Sequence, residues 1–306
     1  MTEVLRVVRP GLFTTIQDLG RPHVIASGVP PGGAMDRFAH SAANMLVGND
    51  RGAATLECTL TGPTLGIEGP FVIAVTGADL GVRVNGDPAP SWTAIELRQA
   101  DELSFAGRRA GARAYIAVAG GILGDRWLGS MSTYVTAARG GMHGRPLVAG
   151  DVIVCGEPQS PPVIGDSIAP PPYADHTLKV IEGPHFDRLA PAAREALFSS
   201  GFRVSSRSDR MGYRLEGPNL ETTAGEVLSF GLVAGVVQLP PGGWPILLMA
   251  DHQTAGGYPV VATVISASMP IAAQLAPGDD MRFERTSIEA ALEARAAQRA
   301  ALASTI

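Results

Sequence analysis

Charged and amide side chains gather in five glycine-rich connections of this 306-residue chain. Loops carried by a rigid β scaffold are where binding and catalytic residues usually lie. An arginine beside a pocket can hold a carboxylate by a bidentate pair, and an aspartate there can orient an amide or accept a proton. If these connections border a pocket, their composition suits a site that binds a carboxylate or orients an amide. The five segments are Gln17-Asp18-Leu19-Gly20-Arg21, Gly28-Val29-Pro30-Pro31-Gly32-Gly33-Ala34-Met35-Asp36, Thr76-Gly77-Ala78-Asp79, Ser208-Asp209-Arg210-Met211-Gly212 and Asp251-His252-Gln253-Thr254-Ala255-Gly256-Gly257-Tyr258.

Each of these segments also has a purely structural interpretation. Asp18 with Arg21, and Asp209 with Arg210, have the spacing of ordinary surface ion pairs. Gly32-Gly33 has two interpretations of equal weight. It is either a turn that leads into a helix capped by Asp36, or a set of backbone N–H groups at a helix N-terminus that binds an anion.

The residue types exclude several classes of protein. Lys179 is the only lysine, and it lies in a strand-like run, so the chain has no phosphate loop ending in Gly-Lys-Ser/Thr and is no biotin carrier. The net charge is −5, and nucleic-acid binding would need a basic stripe that is absent. The spacing of histidines and cysteines fits no zinc site, no metal ligand set is visible, and no Gly-x-Ser-x-Gly elbow occurs. Cys58 and Cys155 are expected to be reduced and buried.

Strand-like segments dominate the chain. A signal peptide and a run of about 20 apolar residues are both lacking, which predicts a soluble cytoplasmic protein. Three helices are predicted: one capped by Asp36 and running to Val47, one from Pro191 to Ser199, and one that a Thr286/Glu289 capping box opens and that runs to Ala303. The predicted strands are Val4–Val8, Pro70–Thr76, Ala114–Ala119, Leu178–Ile181, Val227–Phe230, Val233–Leu239, Pro245–Met249 and Val260–Ile265.

A proline-rich segment, residues 158–172, divides two halves that weakly repeat each other. It has six prolines and predicts an extended linker. Four short matches keep their order on its two sides, which indicates a duplicated β-rich domain. The predicted domains are residues 1–160 and residues 175–306, the second with the C-terminal helix. The matches pair Leu5-Arg6-Val7-Val8 with Leu178-Lys179-Val180-Ile181, Gly62-Pro63-Thr64-Leu65 with Gly217-Pro218-Asn219-Leu220, Gly81-Val82-Arg83-Val84 with Gly235-Val236-Val237-Gln238, and Ala149-Gly150-Asp151 with Pro277-Gly278-Asp279.

Six motifs together resemble one known family. This family contains the C subunit of 5-oxoprolinase, the allophanate hydrolase subunit 2 domain and the antagonist of a sporulation-kinase inhibitor. It is a biotin-dependent carboxyltransferase family, related to urea carboxylase. The resemblance runs from about Val7 to Phe283. The motifs are Thr15-Ile16-Gln17-Asp18-Leu19-Gly20-Arg21, Gly32-Gly33-Ala34-Met35-Asp36, Ala43-Asn44-Met45-Leu46-Val47-Gly48-Asn49, Ala117-Val118-Ala119-Gly120-Gly121-Ile122, Ser208-Asp209-Arg210-Met211-Gly212-Tyr213-Arg214-Leu215 and Asp251-His252-Gln253-Thr254-Ala255-Gly256-Gly257-Tyr258-Pro259.

The resemblance implies a mainly β fold of two cyclophilin-like β-barrel domains with a few short helices. It also implies two partner proteins, the B subunit of 5-oxoprolinase, which has a related barrel, and the A subunit. With these the chain would form an ATP-dependent 5-oxoprolinase that opens 5-oxo-L-proline to L-glutamate, inactive without its partners, with ATP bound by the complex at an unlocated site. Two alternatives stay open. One is a carboxyltransferase subunit that acts on urea or another small amide. Only this alternative would require biotin. The other is a regulatory protein that binds a kinase inhibitor.

The resemblance and the polar clusters together give a set of candidate site residues that is expected to converge on one groove facing the B subunit. In this hypothesis Arg21 or Arg210 holds a carboxylate, the backbone of Gly32 and Gly33 donates to an oxyanion, and Asp18 or Asp209 is the base. The candidate catalytic residues are Asp18, Asp209 and Asp36, and the candidate substrate-binding residues are Arg21, Gly32, Gly33, Ser208, Arg210, Gln253 and Thr254.

Two positions depart from the family pattern. Met131 stands where an arginine is usual, and Ser268 stands where an aspartate is usual.

Overall fold

The computed structural model describes residues 4–158, 161–222 and 227–303, and its regular structure is mainly β. This confirms the predicted fold class. The chain divides into two compact units. Within the described ranges, the first comprises residues 4–21 and 32–174, and the second comprises residues 22–31 and 175–303. None of the helices in the described ranges has both the length and the apolar character needed to cross a membrane.

Strands, a few α-helices and short 3-10 helices, such as Pro22–Ser27, make up the regular structure of the described residues. In the first unit the strands are β1 (Val4–Arg9), β2 (Phe13–Gln17), β3 (Thr55–Thr59), β4 (Thr64–Glu68), β5 (Phe71–Asp79), β6 (Val82–Val84), β7 (Asp87–Pro88), β8 (Ala94–Leu97), β9 (Glu102–Phe105), β10 (Ala110–Val118) and β11 (Val152–Val154), and the helix is α1 (Arg37–Leu46). In the second unit the strands are β12 (Thr177–Glu182), β13 (Gly201–Val204), β14 (Gly212–Glu216), β15 (Phe230–Gly231), β16 (Val236–Gln238), β17 (Ile246–Leu248), β18 (Ala255–Gly256), β19 (Val260–Val264) and β20 (Asp280–Arg285), and the helices are α2 (Pro191–Ser199), α3 (Met269–Gln274) and α4 (Ile288–Ala303).

The strands of the first unit pair into two sheets that enclose one apolar core. One sheet has the order β11-β1-β4-β9-β6-β7 and the other has the order β2-β3-β10-β5-β8. Alternating inward residues of both sheets form the core, which includes Leu5, Leu56, Ile73 and Ile116. Cys58 and Cys155 are both buried in this core, as predicted. Burial raises the pKa of the Cys58 thiol, so that side chain is an apolar packing group.

The second unit is built around a closed barrel of seven strands, in the order β12-β19-β16-β17-β14-β13-β20. The barrel closes where β20 pairs in parallel with β12, and all its other pairings are antiparallel. Closure leaves no free sheet edge in the barrel. The ribbon of β15 and β18 lies outside this barrel and packs Phe230 and Leu232 against Leu248 and Val260.

One turn recurs before the final strand of each unit, at a position that the sequence repeat singled out. Asp151 Oδ2 accepts a hydrogen bond from Val148 N at 2.8 Å, and Asp279 Oδ2 accepts one from Ala276 N at 2.9 Å. The residue before each aspartate is a glycine with a left-handed backbone, at φ values of 90° and 92°. The match of Ala149-Gly150-Asp151 with Pro277-Gly278-Asp279 therefore reflects the same local structure, as a duplicated unit requires.

The helices that have clear caps lie where the sequence predicts them. Asp36 caps α1 through Ala39 N at 2.9 Å, and α2 begins at Pro191. The capping box proposed for α4 was wrong. Ser287 is the cap, since its Oγ accepts from Ala290 N at 3.1 Å, whereas Thr286 N still donates to Val180 O in the barrel. Helix α3 was missed because it has only six residues.

Strand boundaries changed most in the second half. Residues 227–229 are irregular and the strand there is the two-residue β15, while residues 223–226 lie outside the described ranges. The predicted linker also differs from the structure in its described part. Residues 165–168 run beside β8, where Ala94 N donates to Asp166 O at 3.0 Å and Ile168 N donates to Trp92 O at 3.1 Å, and residues 159–160 lie outside the described ranges. This part of the segment forms an edge of the first unit.

Candidate functional site

Asp18 lies at the centre of a hydrogen-bond network in the first unit. Its Oδ1 accepts from the hydroxyls of Ser130 and Ser132, both at 2.6 Å, and from Gly20 N at 2.7 Å. Its Oδ2 accepts from Met131 N at 2.7 Å. Burial alone would raise the pKa of Asp18, but these hydrogen bonds outweigh it and hold the pKa below its ordinary value. A carboxylate held in this way is a weak base, so the geometry suits Asp18 to positioning the loop of residues 130–132.

We expect Asp18→Asn to lower the free energy of unfolding by about 1.5–3 kcal/mol at pH 7, the usual range for hydrogen bonds to a charged group. The side-chain NH2 of the asparagine would also lie against one of the N–H or O–H groups that donate to the Asp18 carboxylate, so two donors would face each other. A carboxyl with a lowered folded-state pKa stabilises the fold above its unfolded-state pKa of about 3.9 and loses this effect as the pH falls through the folded-state pKa. Urea unfolding from pH 7 to pH 2 should show the gap between the two proteins closing below about pH 4. A gap that stays constant, or an equal loss in the exposed control Asp87→Asn, contradicts this role.

Arg21 is 2% exposed and lies over the ring of Trp127, with Cζ 5.0 Å from the ring centroid. Its Nη2 donates to the carbonyl oxygen of Ser132, on the loop that Asp18 holds. Cation–π contact and burial of this kind fix the guanidinium in place. Asp18 and Arg21 therefore meet through this loop and not as a surface ion pair.

The predicted Gly32–Asp36 segment is buried, and its amides are largely engaged. Ala34 N donates to Asp18 O at 2.9 Å, Met35 N donates to Glu57 Oε2 at 2.8 Å, and Asp36 N donates to Tyr115 Oη at 2.7 Å. Asp36 Oδ2 accepts from Tyr173 Oη at 2.6 Å, while Oδ1 caps α1. These contacts favour the helix-cap interpretation for residues 34–36.

Sequence reasoning missed the buried polar partners of that segment. Glu57 and Tyr115 are both fully buried on neighbouring strands, and Tyr115 Oη donates to Glu57 Oε2 at 2.8 Å. His40 is also fully buried, with Nδ1 2.9 Å from Thr55 Oγ1, and burial lowers its pKa to about 4. The available signal was Glu57 itself, because a carboxylate inside an apolar strand needs buried donors.

In the second unit, Arg210 forms a bidentate pair with Asp251. Nε donates to Oδ2 at 2.8 Å and Nη2 donates to Oδ1 at 3.2 Å, and the two side chains are only 10% and 11% exposed. Asp251 N also donates to Arg210 O at 2.8 Å. The guanidinium group of Arg210 was predicted to bind a substrate carboxylate, but it already binds the carboxylate of Asp251.

Ser208 and Asp209 shape the turn before β14. Ser208 Oγ accepts from Arg214 N at 3.0 Å, and Asp209 Oδ1 accepts from Met211 N at 2.8 Å and Gly212 N at 3.3 Å. Asp209 is nevertheless exposed. Its second carboxylate oxygen is therefore in a position to accept from a ligand.

Gln253 and Thr254 lie on the connection that follows Asp251. Gln253 Nε2 donates to Gln238 Oε1 at 2.9 Å, and Thr254 O accepts from Leu232 N at 2.9 Å. His252 is 1% exposed, with Nδ1 2.7 Å from Gln253 O, and burial lowers its pKa, so the imidazole is neutral at pH 7. This histidine fixes the backbone that carries Gln253.

A cavity of about 230 Å³ lies on the outer face of the barrel. Tyr213 and Leu247 point into the barrel, so the alternating residues Arg214 and Ile246 point outward, and Gln238 lies opposite Ile246 on the next strand. The residues that line it with polar groups are Arg207, Asp209, Arg214, Gln238, Gln253 and Tyr258.

This cavity brings Asp209 and Gln253 together and adds Arg207, Arg214 and Gln238, which were not among the candidate site residues. A larger adjoining cavity of about 380 Å³ is lined by Trp244 and two prolines with Arg207 and Arg214, and it holds none of the predicted residues. The smaller cavity is therefore the candidate site of the second unit. Convergence of Asp18, Arg21, Gly32, Gly33 and Asp36 with the second-unit set in one groove stays a prediction.

Both departures from the family pattern have structural roles here. Met131 packs against the first-unit core while its amide donates to Asp18. Ser268 is 4% exposed, and its Oγ accepts from Lys179 N at 3.2 Å on β12. Over the ranges that the structure describes, no group of three or more histidine, cysteine, aspartate or glutamate side chains is placed to hold a metal ion.

The chain matches the family described as carboxyltransferase domain, subdomain A and B, over residues 27–285. It therefore belongs to the carboxyltransferase domain family. It is 38% identical to the C subunit of 5-oxoprolinase from Escherichia coli strain K12 over 293 residues, which cover 95% of this chain and 94% of that protein. It is 35% identical to the C subunit of 5-oxoprolinase from Haemophilus influenzae over 284 residues, covering 92% of this chain and 91% of that protein.

A solved structure shares the same fold. The crystal structure of the Kluyveromyces lactis urea amidolyase aligns with a TM-score of 0.93 at 28% sequence identity. The alignment covers 100% of this chain and 20% of that chain, so this chain spans about a fifth of the urea amidolyase.

Proposed function

We propose that this chain is the C subunit of an ATP-dependent 5-oxoprolinase that opens 5-oxo-L-proline to L-glutamate together with the A and B subunits. The observation that carries the proposal is the 38% identity to the C subunit of the E. coli enzyme, which extends over 95% of this chain and 94% of that protein. The cavity on the second-unit barrel supports it, since arginine, aspartate and glutamine side chains suit a small molecule with a carboxylate and an amide.

In this proposal the complex binds ATP at an unlocated site, and two features of this chain make poor phosphate sites. The N-terminus of α1 is a poor phosphate cradle, because Asp36 caps it and the amides of Met35 and Asp36 already donate to Glu57 and Tyr115. The sole lysine, Lys179, lies on β12 with its Nζ 4.0 Å from Glu284 Oε1. In the complex, this chain would bind and orient the amide while the nucleotide supplies the driving force.

A second candidate is carboxyl transfer to urea or a related amide. The TM-score of 0.93 to the urea amidolyase structure favours it. Both reactions act on an N–C=O group whose oxygen must be polarised, so the same cavity would serve either. The second reaction requires a biotin carrier and a biotin carboxylase from separate proteins.

The test is a comparison of the two reactions in one preparation. The chain is co-expressed with the A and B subunits, and the complex is assayed for ATP-dependent glutamate formation from 5-oxo-L-proline and for urea-dependent ATP hydrolysis in the presence of a biotinylated carrier and biotin carboxylase. We expect glutamate formation and no stimulation by urea. Stimulation by urea without glutamate formation would favour the second candidate, and the chain alone should be inactive in both assays.

A further inference from the structure

Gln238 has a buried side-chain amide whose oxygen and nitrogen differ in their hydrogen bonding. It is 1% exposed, and its Oε1 accepts from Gln253 Nε2 at 2.9 Å. Over the described residues its Nε2 has no hydrogen-bond partner. Buried donors are nearly always paired in folded proteins, so an unpaired one that lines a cavity points to a ligand acceptor.

The backbone around Gln238 is built to present this amide. The pairing of β16 with β19 shifts register between Val237 and Gln238, where β19 carries the extra residue Val261, and Gln238 keeps the outward direction that it shares with Ile246. Gly256 leaves room beside the amide, since a Cβ at that position would lie 3.1 Å from Gln238 Nε2. Gln253 then fixes the amide orientation through its contact with Oε1.

Two arginines face the same cavity with their charges unpaired. Arg207 and Arg214 both line it, and within the described ranges neither forms an ion pair. Their neighbour Arg203 differs, because its Nε donates to Asp280 Oδ1 at 2.8 Å. Two unpaired guanidinium groups at the mouth of a small cavity suit a carboxylate.

We infer that Gln238 donates its Nε2–H to the carbonyl oxygen of a small amide whose carboxylate is held by Arg207 and Arg214. Asp209, on the same wall, would accept the amide N–H of the ligand. The cavity of about 230 Å³ is smaller than the usual range of about 300–1,000 Å³ for drug-sized ligands, which fits a single ring. A cyclic amide that carries a carboxylate, as 5-oxo-L-proline does, supplies all three groups. This inference rests on the proposed function and names the residues that would read its substrate.

The test uses the complex with the A and B subunits and measures ATP-dependent glutamate formation. Gln238→Glu keeps the shape and the Oε1 acceptor but removes the donor, so kcat/KM should fall by roughly 100- to 1,000-fold, the range for loss of one oxyanion donor. The double variant Arg207→Gln, Arg214→Gln should raise KM by about 10- to 100-fold with a smaller change in kcat, since it removes binding that ground and transition states share. Its preference for 5-oxo-L-proline over 2-pyrrolidinone, which lacks the carboxylate, should shrink by a similar factor. Arg203→Gln is the matched control and should change neither constant by more than about twofold, since its exposed ion pair contributes little.

The outcomes separate this inference from the proposed function. If the wild-type complex is active and Gln238→Glu keeps kcat/KM within about threefold, the inference is overturned while the proposed function stands. If the wild-type complex does not act on 5-oxo-L-proline, or if Gln238→Glu fails to fold, the wild-type chain labelled with 15N-glutamine decides the matter. Addition of 5-oxo-L-proline should then shift the side-chain NH2 resonances of Gln238 more than those of Gln298, and the absence of such a shift would overturn the inference.

Discussion

Replacing Arg210 by methionine should lower the free energy of unfolding by about 3–5 kcal/mol. The substitution leaves the Asp251 carboxylate buried without its bidentate partner, and breaking a buried pair from one side typically has an effect of this size. Chemical denaturation at pH 7, followed by circular dichroism, measures the loss. If Asp251 is removed as well, in Arg210→Met, Asp251→Leu, much of the stability should return, because the uncompensated charge is gone.

The matched control is Arg203→Met on β13. Its partner is Asp280, and the two side chains are 58% and 68% exposed, so this change should cost at most about 1 kcal/mol. Equal destabilisation by the two methionine variants would show that Arg210 has no special structural role. A stable Arg210→Met protein whose complex has lost all activity would instead return Arg210 to the substrate-binding residues.

Replacing Gly33 by alanine should destabilise the first unit by about 2–5 kcal/mol. Gly33 has φ of 91°, and an alanine Cβ would lie 2.8 Å from both Gly20 N and Leu19 C. A left-handed backbone costs a non-glycine residue about 1–2 kcal/mol, and overpacking against rigid backbone adds about 1–3 kcal/mol. Since Gly33 approaches the segment that carries Asp18, the change should also disturb the loop of residues 130–132.

Gly28→Ala separates the effect of the left-handed backbone from the effect of overpacking. Gly28 also has positive φ, at 75°, but a Cβ there meets nothing within 4 Å. Thermal unfolding of the two variants should therefore show a loss of about 1–2 kcal/mol for Gly28→Ala and a clearly larger loss for Gly33→Ala. Equal losses would mean that the close approach to Gly20 and Leu19 has no energetic effect.

Local signals in the sequence predicted the positions of the helices that begin with a capping residue or a proline. Asp36 before α1 and Pro191 at the start of α2 satisfy helix termini by themselves, so their positions follow from composition. The α4 cap was displaced by one residue because the amide of Thr286 already donates to Val180 in the barrel. Tertiary pairing of that kind is invisible to a pattern along the chain.

At the candidate site, too, single residues were predicted from the sequence but their contacts were not. Arg210 and Asp251 are both in predicted clusters, yet nothing local indicates that they pair across 41 residues. Gln238 was missed because it lies in an apolar strand, and its importance depends on the fold, which places Gln253 Nε2 against its Oε1. Glu57 carried a signal of its own, but its partners Met35 and Tyr115 come from elements that only the fold brings together.

The dependence of 5-oxoprolinase activity on this chain is the most direct test of its proposed role. The A and B subunits are purified alone and together, with and without this chain, and ATP-dependent release of glutamate from 5-oxo-L-proline is measured at saturating substrate. We expect activity only when all three proteins are present, with a rate that rises with added chain and saturates as the complex fills. Full activity of the two partner proteins without the chain, or no activity in any combination, would contradict the assignment.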